Sequence, residues 1–169
     1  NNTFFLSDRG TNFTLMSDEF GLTDYSSTSA YNFLDFDRDG DMDVVTLPVA
    51  IANARVFQNQ GPKGNSITVQ LRDDIGNSYA IGAQIVIRYG NGKKQQIRHI
   101  QASGGFMSFD PLEAHFGIGE HDAIQSIEVY WPNLAITKLS GPFPANRCYR
   151  IHRKPPAPRR PAANPRKIF

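Results

Sequence analysis

Between residues 64 and 153 apolar and polar side chains alternate with a period of two. Ile67, Val69 and Leu71 are separated by Thr68 and Gln70; Ile85, Ile87 and Tyr89 obey the same rule, as do Ile127, Val129 and Trp131, and Ile97 with Ile100 marks a further run. Successive side chains of a strand point to opposite faces of its sheet, so the pattern predicts half-buried antiparallel strands. Asn91-Gly92, between two of these runs, is a pair that tolerates positive φ and predicts a tight hairpin. Several such strands over about ninety residues predict a small antiparallel β-sandwich.

The first 61 residues have shorter runs. Asn2-Thr3-Phe4-Phe5-Leu6-Ser7-Asp8-Arg9-Gly10 recurs loosely as Ala54-Arg55-Val56-Phe57-Gln58-Asn59-Gln60-Gly61, a spacing of about fifty residues. Each copy is an apolar run followed by a polar turn with glycine. Between them lie Phe13-Thr14-Leu15-Met16, Ala30-Tyr31-Asn32-Phe33-Leu34 and Val44-Val45-Thr46-Leu47. Four short strands with this spacing predict one propeller-type four-stranded blade over 1–61. A lone blade leaves its faces uncovered, so another part of a longer protein, the second domain or a partner subunit is expected to pack against it.

The densest chemistry lies in Asp35-Phe36-Asp37-Arg38-Asp39-Gly40-Asp41-Met42-Asp43. Carboxylates on alternate residues around a glycine turn are what a hard cation requires, and without a cation these five acids repel one another. Asp35, Asp37 and Asp39 are each expected to offer a carboxylate oxygen, Asp41 its backbone carbonyl as a further ligand, and Asp43 closes the ring. Ca²⁺ is the expected ion, since a multi-carboxylate loop suits its larger, more flexible shell better than that of Mg²⁺. The loop is not an EF-hand: the twelfth position is Thr46 rather than a glutamate, and Val44-Val45-Thr46-Leu47 reads as a strand where an exit helix would begin.

Charge is unevenly spread over the 169 residues, whose formal net value is +2. Residues 1–60 carry nine acids and three basic residues, whereas from Arg147 onward there are eight basic residues and no acid. The stretch 154–169 is rich in proline, which removes donors and fixes φ, and predicts an extended basic tail. Arg153, Lys154, Arg159, Arg160, Arg166 and Lys167 are its candidate partner-binding residues, facing an acidic patch on another protein subunit or anionic lipid headgroups. Nucleic acid is disfavoured, because the tail lacks interleaved aromatics and the Asp-rich half repels phosphate. The single Cys148 excludes an intrachain disulfide and is expected to be a small buried hydrophobe. No apolar run reaches the roughly 18 residues of a membrane span, and any signal peptide is expected to have been removed or to lie upstream.

Two resemblances follow from these residues. Asp35, Asp37, Asp39, Gly40 and Asp43 match the Asp-x-Asp-x-Asp-Gly-x-x-Asp loop, and residues 1–61 resemble one FG-GAP or VCBS repeat, whose loop binds Ca²⁺ and whose blades assemble into propellers. The second region carries Asn77 with Ala80-Ile81-Gly82-Ala83, then Ser103-Gly104-Gly105-Phe106-Met107-Ser108, His115-Phe116-Gly117-Ile118-Gly119, Val129-Tyr130-Trp131-Pro132 and Pro144-Ala145-Asn146-Arg147. In that order and spacing these segments resemble the ASPIC and UnbV family, the module that follows FG-GAP propellers in exported proteins. The chain departs from it at Asn133-Leu134, where the family usually has Asp-Gly or Asn-Gly. The resemblances imply three parts, 1–61, 64–153 and 154–169, in an extracytoplasmic setting: secreted, cell-surface or periplasmic.

A catalytic reading finds little support. His99, His115, His121 and His152 stand in no metalloprotease pattern, Ser103, Ser108, Asp110 and Glu113 lie in no nucleophile elbow, and Ser103-Gly104-Gly105 reads as a tight turn rather than a phosphate cradle. Trp131, Tyr130, Phe106 and Phe109 are expected in the core, although exposed they would offer a sugar-stacking face. The sequence thus predicts a non-catalytic, calcium-binding interaction or scaffold module, an accessory subunit or the C-terminal part of a longer propeller protein. A carbohydrate-binding or cell-surface recognition module is the alternative, and a hydrolase a third reading.

Overall fold

The computed structural model describes residues 2–8, 10–23, 25–49, 53–61 and 63–155. Among these the protein is all β, without a helix, and none of its sheets closes into a barrel. The remaining basic tail residues, Arg159, Arg160, Arg166 and Lys167, lie outside the described residues.

The first segment forms β1 (Phe5–Asp8), β2 (Asn12–Leu15), β3 (Thr28–Leu34), β4 (Asp43–Pro48) and β5 (Arg55–Phe57). These do not make one four-stranded sheet, as the blade expectation required: β1 and β2 pair as a ribbon, while β3, β4 and β5 form a separate antiparallel sheet. The reason is a knot of turns after β2. Phe20 N donates to Met16 O, Gly21 N to Asp18 O and Leu22 N to Ser17 O, with Gly21 at φ 66°, and this turns the chain away before β3 begins.

The second region contains β6 (Asn65–Asp73), β7 (Gln84–Tyr89), β8 (Lys94–His99), β9 (Glu113–Gly119), β10 (Ala123–Tyr130), β11 (Ile136–Pro144) and β12 (Arg147–Arg153). One sheet has the order β11-β10-β7-β8 and the other β12-β6-β9. Their inner faces share one apolar cluster: Ile67, Val69 and Leu71 of β6, Phe116 of β9, Ile85 and Ile87 of β7, Ile127 and Val129 of β10, with Trp131 at its end. Each of these aliphatic side chains, fully withdrawn from water, is worth about 1.5–3 kcal/mol. The period-two reading therefore finds the core, and Gly90, Asn91 and Gly92 all take positive φ in the hairpin between β7 and β8.

Three expectations about this region fail. The sandwich is not wholly antiparallel, because β12 runs parallel to β6, from Arg147 opposite Ile67 to Arg153 opposite Asp73. Nor is Cys148 buried: the pleat of β12 sends Tyr149 and Ile151 towards the core, so Cys148 emerges on the outer face opposite Thr68. Phe106 and Phe109 are likewise exposed, while Trp131 is in the core.

The two regions meet at the free edge of β3. Ser108 Oγ donates to Tyr31 O at 2.7 Å, Phe33 N donates to Asp110 Oδ1 at 2.9 Å, and Asn32 Nδ2 donates to Phe109 O at 2.5 Å. Side chains from the β8–β9 connection thus satisfy backbone groups that an edge strand otherwise leaves open.

At the end of β12 the Arg153 guanidinium lies over the Trp131 ring at 4.4 Å, donates from Nη1 to Asn133 Oδ1 at 2.6 Å and from Nε to Asp73 Oδ1 at 3.0 Å, and pairs through Nη2 with Asp73 Oδ2. Arg153 is spent inside the fold rather than offered to a partner, unlike the exposed Lys154. Hydrogen bonding from Arg153 holds the Asp73 carboxyl below its ordinary pKa, against the opposing effect of burial. A carboxylate with a depressed folded pKa adds stability that is present above its unfolded value, about 3.9, and lost as pH falls through the folded value. Urea unfolding as a function of pH should therefore fall more steeply below about pH 4 in the wild type than in Asp73→Asn.

Leu134 occupies the turn where the family usually places glycine. It adopts φ 67° with its side chain 91% exposed, and its N–H donates to Trp131 O at 2.9 Å. A left-handed conformation costs a non-glycine residue about 1–2 kcal/mol, partly offset by the larger unfolded-state entropy of glycine. Leu134→Gly, which loses no packing, should raise stability by about 0.5–1 kcal/mol, read as a higher urea midpoint at unchanged slope.

Candidate metal centre

The acidic residues occupy the connection between β3 and β4, whose ends are held by the pairing of Leu34 with Asp43. Arg38 and Gly40 both take positive φ, 63° and 97°, and these two left-handed residues fold the connection tightly. A Cβ at position 40 would also lie 2.9 Å from Ser66 Oγ on β6, so that side chain would have to shift.

The five aspartates divide by what their oxygens already hold. Asp43 is the base of the loop, 1% exposed; its Oδ2 accepts from Phe36 N at 2.8 Å and its Oδ1 from Asn59 N at 2.7 Å. It ties both limbs, the loop and the chain leaving β5, to the start of β4. Asp35 Oδ2 accepts from Gly40 N at 3.1 Å, Asp37 Oδ1 from Asp39 N at 3.2 Å, and Asp39 Oδ1 from Asp41 N at 3.0 Å. These bonds turn the carboxylates of Asp35, Asp37 and Asp39 towards one another, each with an oxygen within 4.8 Å of the others.

That spacing fits a hard cation. Metal–oxygen distances of about 2.3–2.6 Å in a Ca²⁺ shell put opposed ligands roughly 5 Å apart. Two oxygens of the loop, Asp35 Oδ1 and Asp41 Oδ2, are withdrawn from water with no hydrogen-bond partner, and a carboxylate so placed is costly unless something positive answers it. Asp41 registers the strain directly, since burial and then the neighbouring Asp39 push its pKa up. Two side chains from beyond β5 already engage the loop: Lys63 Nζ lies 2.6 Å from Asp39 Oδ2, and Gln58 Nε2 donates to Asp37 Oδ2. The Lys63 hydrogen bond lowers the Asp39 pKa, and Asp39 in turn raises that of Lys63. The residues present thus fit an ion, with Asp35, Asp37 and Asp39 as the converging set, Asp41 beside them, and Asp43 as the clamp below.

The groups considered for catalysis are placed otherwise. Ser108 and Asp110 hold the edge of β3, and His115, on the outer face of β9, has Nδ1 3.4 Å from Thr68 Oγ1. Burial pushes the His115 pKa down, opposed chiefly by Asp35. Sequence reasoning missed that Asp43 serves the backbone and that Lys63 and Gln58 reach back to the loop; the latter two are ordinary polar residues of a connecting segment, with no local signal.

Asn77 closes a turn by donating to Ile81 O and accepting from Ile81 N, with Ala80 and Gly82 at positive φ, and Gly105 to Ser108 forms a tight bridge. The family model for ASPIC and UnbV matches residues 73–157, half of the chain. The chain belongs to the ASPIC and UnbV family. No curated protein matches it. The ASPIC and UnbV match begins at the end of β6, so the acidic loop lies wholly upstream of it and stands on its own geometry.

Removing the Asp43 carboxylate strands two backbone N–H groups at the base of the loop. Asp43→Ala should cost about 3–6 kcal/mol, the range for two hydrogen bonds to a charged acceptor, and should cost it equally in calcium and in chelator, as followed by urea unfolding in each buffer.

Proposed function

We propose that this ASPIC and UnbV protein is a non-catalytic, calcium-binding interaction module of an extracytoplasmic assembly. The observation that carries the reading is the set of converging oxygens of Asp35, Asp37 and Asp39, with unanswered oxygens on Asp35 and Asp41 beside them. Ca²⁺ bound there neutralises the loop and fixes the turn from β3 to β4. Because Gly40 sits against Ser66 of the sandwich, the same ion stiffens the join between the two regions.

The first region is in this reading an FG-GAP or VCBS-like repeat, and its scaffold role is supported by its surface. Phe5, Phe13 and Leu15 on the ribbon, and Leu47 and Val56 on the adjoining sheet, are large apolar side chains left exposed. Phe5, Phe13 and Leu15 share one face of the ribbon, since Phe5 pairs with Leu15 and Phe13 stands two residues before it, and an exposed apolar patch of this kind marks a surface that meets another protein. The extracytoplasmic setting is supported by the family and is compatible with the absence, among the described residues, of any helix long and apolar enough to cross a membrane.

Calcium binding is tested by thermal unfolding with calcium and with chelator. An ion held only by the folded state raises the melting temperature by mass action, by about 2.7 kcal/mol at a hundredfold excess over its dissociation constant. The wild type should gain this shift and Asp37→Ala should lose most of it while melting like the wild type in chelator. Identical wild-type melts in both buffers would remove calcium from the account.

A further inference from the structure

Where the chain entering β1 and the turn at Leu22 pass over the β3-β4-β5 sheet, they leave a pocket of about 330 Å³ that none of the preceding roles uses. Residues opposed in register share a face of a sheet. Val44 is opposed by Phe33 on one side and Phe57 on the other, and Thr46 by Tyr31, and these five residues form the sheet side of the pocket. Phe4 and Leu22 supply the remaining apolar wall. The exposed Leu47 and Val56 lie on the opposite face of the same sheet, so the pocket is distinct from that apolar surface.

Both walls are held in place by bonds outside the pocket. Ser17, itself buried, fixes Phe4 and Leu22 together: its Oγ accepts from Phe4 N at 2.8 Å and its carbonyl from Leu22 N at 2.8 Å. On the sheet side Tyr31 O accepts from Ser108 Oγ and Phe33 N donates to Asp110 Oδ1, so β3 is pinned along its free edge. The Tyr31 and Phe33 rings meet edge to face with centroids 5.7 Å apart. A space of this size with fixed, mostly apolar walls has the character of a small-ligand site.

The lining restricts what can enter. Phe4, Tyr31, Phe33 and Phe57 are aromatic, and among the described residues no charged side chain lines the pocket. A carboxylate or an ammonium would be desolvated there without a partner. Asn2 and Thr28, also in the lining, answer each other, Asn2 Nδ2 donating to Thr28 Oγ1 at 2.8 Å. Thr46 stands apart: it is 5% exposed and its Oγ1 has no hydrogen-bond partner. A buried hydroxyl without a partner is rare in a folded protein and marks a place where one is missing. Size narrows the choice further, since a cavity of about 150 Å³ lined by aliphatic and phenyl groups takes up benzene. Roughly twice that volume suits two fused rings.

We infer that this pocket binds a neutral, planar aromatic molecule of two fused rings carrying one hydroxyl, its rings against Phe4, Phe33 and Phe57 and its hydroxyl on Thr46 Oγ1. Aromatic pairs gain from edge-to-face and offset contacts beyond the area they bury. One hydroxyl is what a single threonine can answer, whereas a saccharide would press several against apolar walls unpaired. No aspartate of the acidic loop lines the pocket, so the inference does not depend on the ion.

The probe is 2-naphthol, titrated calorimetrically into the full chain at neutral pH. Saturable binding is expected, and 2-naphthoate, which carries an ionised carboxylate in place of the hydroxyl, should bind at least roughly tenfold more weakly. Thr46→Val keeps the shape of the side chain and removes its hydroxyl. It should weaken 2-naphthol roughly fivefold, the worth of one neutral hydrogen bond, and leave the binding of naphthalene unchanged. Leu22→Trp, which fills the pocket from the turn, should abolish the binding of both while keeping the wild-type melt. No saturable binding of 2-naphthol by a protein with the wild-type melt overturns the inference, as does undiminished binding by Leu22→Trp. Equal losses of 2-naphthol and naphthalene in Thr46→Val overturn the part assigned to the hydroxyl. A chain that sediments as a dimer and takes up no 2-naphthol would overturn it too, and would give the pocket to a second copy.

Discussion

The pleat of β6 is the constraint on which most of the molecule depends. Its inward side chains, Ile67, Val69 and Leu71, sit at the centre of the sandwich core, and its outward ones, Ser66, Thr68 and Gln70, face the acidic loop. It is also the middle strand of its sheet, antiparallel to β9 and parallel to the last strand, β12. A slip of one residue would exchange the two faces, placing hydroxyls and an amide in the core and aliphatic groups beneath the aspartates. Core and candidate site are therefore specified together, because each fixes the register that the other needs.

The acidic loop shows how a chain can place five like charges in nine residues and still fold. Part of the answer is division of labour among chemically identical side chains: Asp43 is consumed by two backbone donors and behaves as a structural clamp, while Asp35, Asp37 and Asp39 each use one oxygen to cap a local N–H. The remainder is electrostatic. One ammonium, on Lys63, pairs with Asp39, while burial and then the neighbouring Asp39 push the Asp41 pKa up. The local bonds orient the carboxylates of Asp35, Asp37 and Asp39 towards one another, and Lys63 and Gln58 engage two of them from outside the loop.

What was legible in the sequence was local. Alternation found Ile67, Ile85, Ile127 and their neighbours because burial of one strand face leaves a signature every two residues, and Asn91-Gly92 marked its hairpin because positive φ is chemically selective. Alternation also held the answer for Cys148, since Tyr149 and Ile151 inward require Cys148 outward. The parallel pairing of β12 with β6 was not legible, because it joins residues about eighty positions apart and parallel neighbours leave no turn between them to be read. The N-terminal strands were read in roughly the right places yet assigned to one sheet, because strand propensity says nothing about which edges pair, and the turns from Ser17 to Leu22 decide that instead. In the candidate site, the converging set of Asp35, Asp37 and Asp39 was visible from spacing alone, but the roles of Asp43, Gln58 and Lys63 depend on where the chain returns after β5.

The Ser103-to-Asp110 segment links these two kinds of information. Its polar side chains are turned back onto β3, where Ser108 and Asp110 satisfy backbone groups and Asn32 reaches across to Phe109 O. A loop that spends its hydrogen-bonding capacity in this way has only its apolar groups left to face water, and Phe106, Met107 and Phe109 are accordingly exposed, with Met107 at φ 58°. The expectation that these aromatics belong to the core is not met: the bonds to β3 hold this connection at the surface, and both rings are exposed there. The two regions are held together by a strand edge, a glycine against a serine, and an aspartate loop. The bonds from Ser108 and Asp110 each answer a backbone group that the edge of β3 alone leaves open.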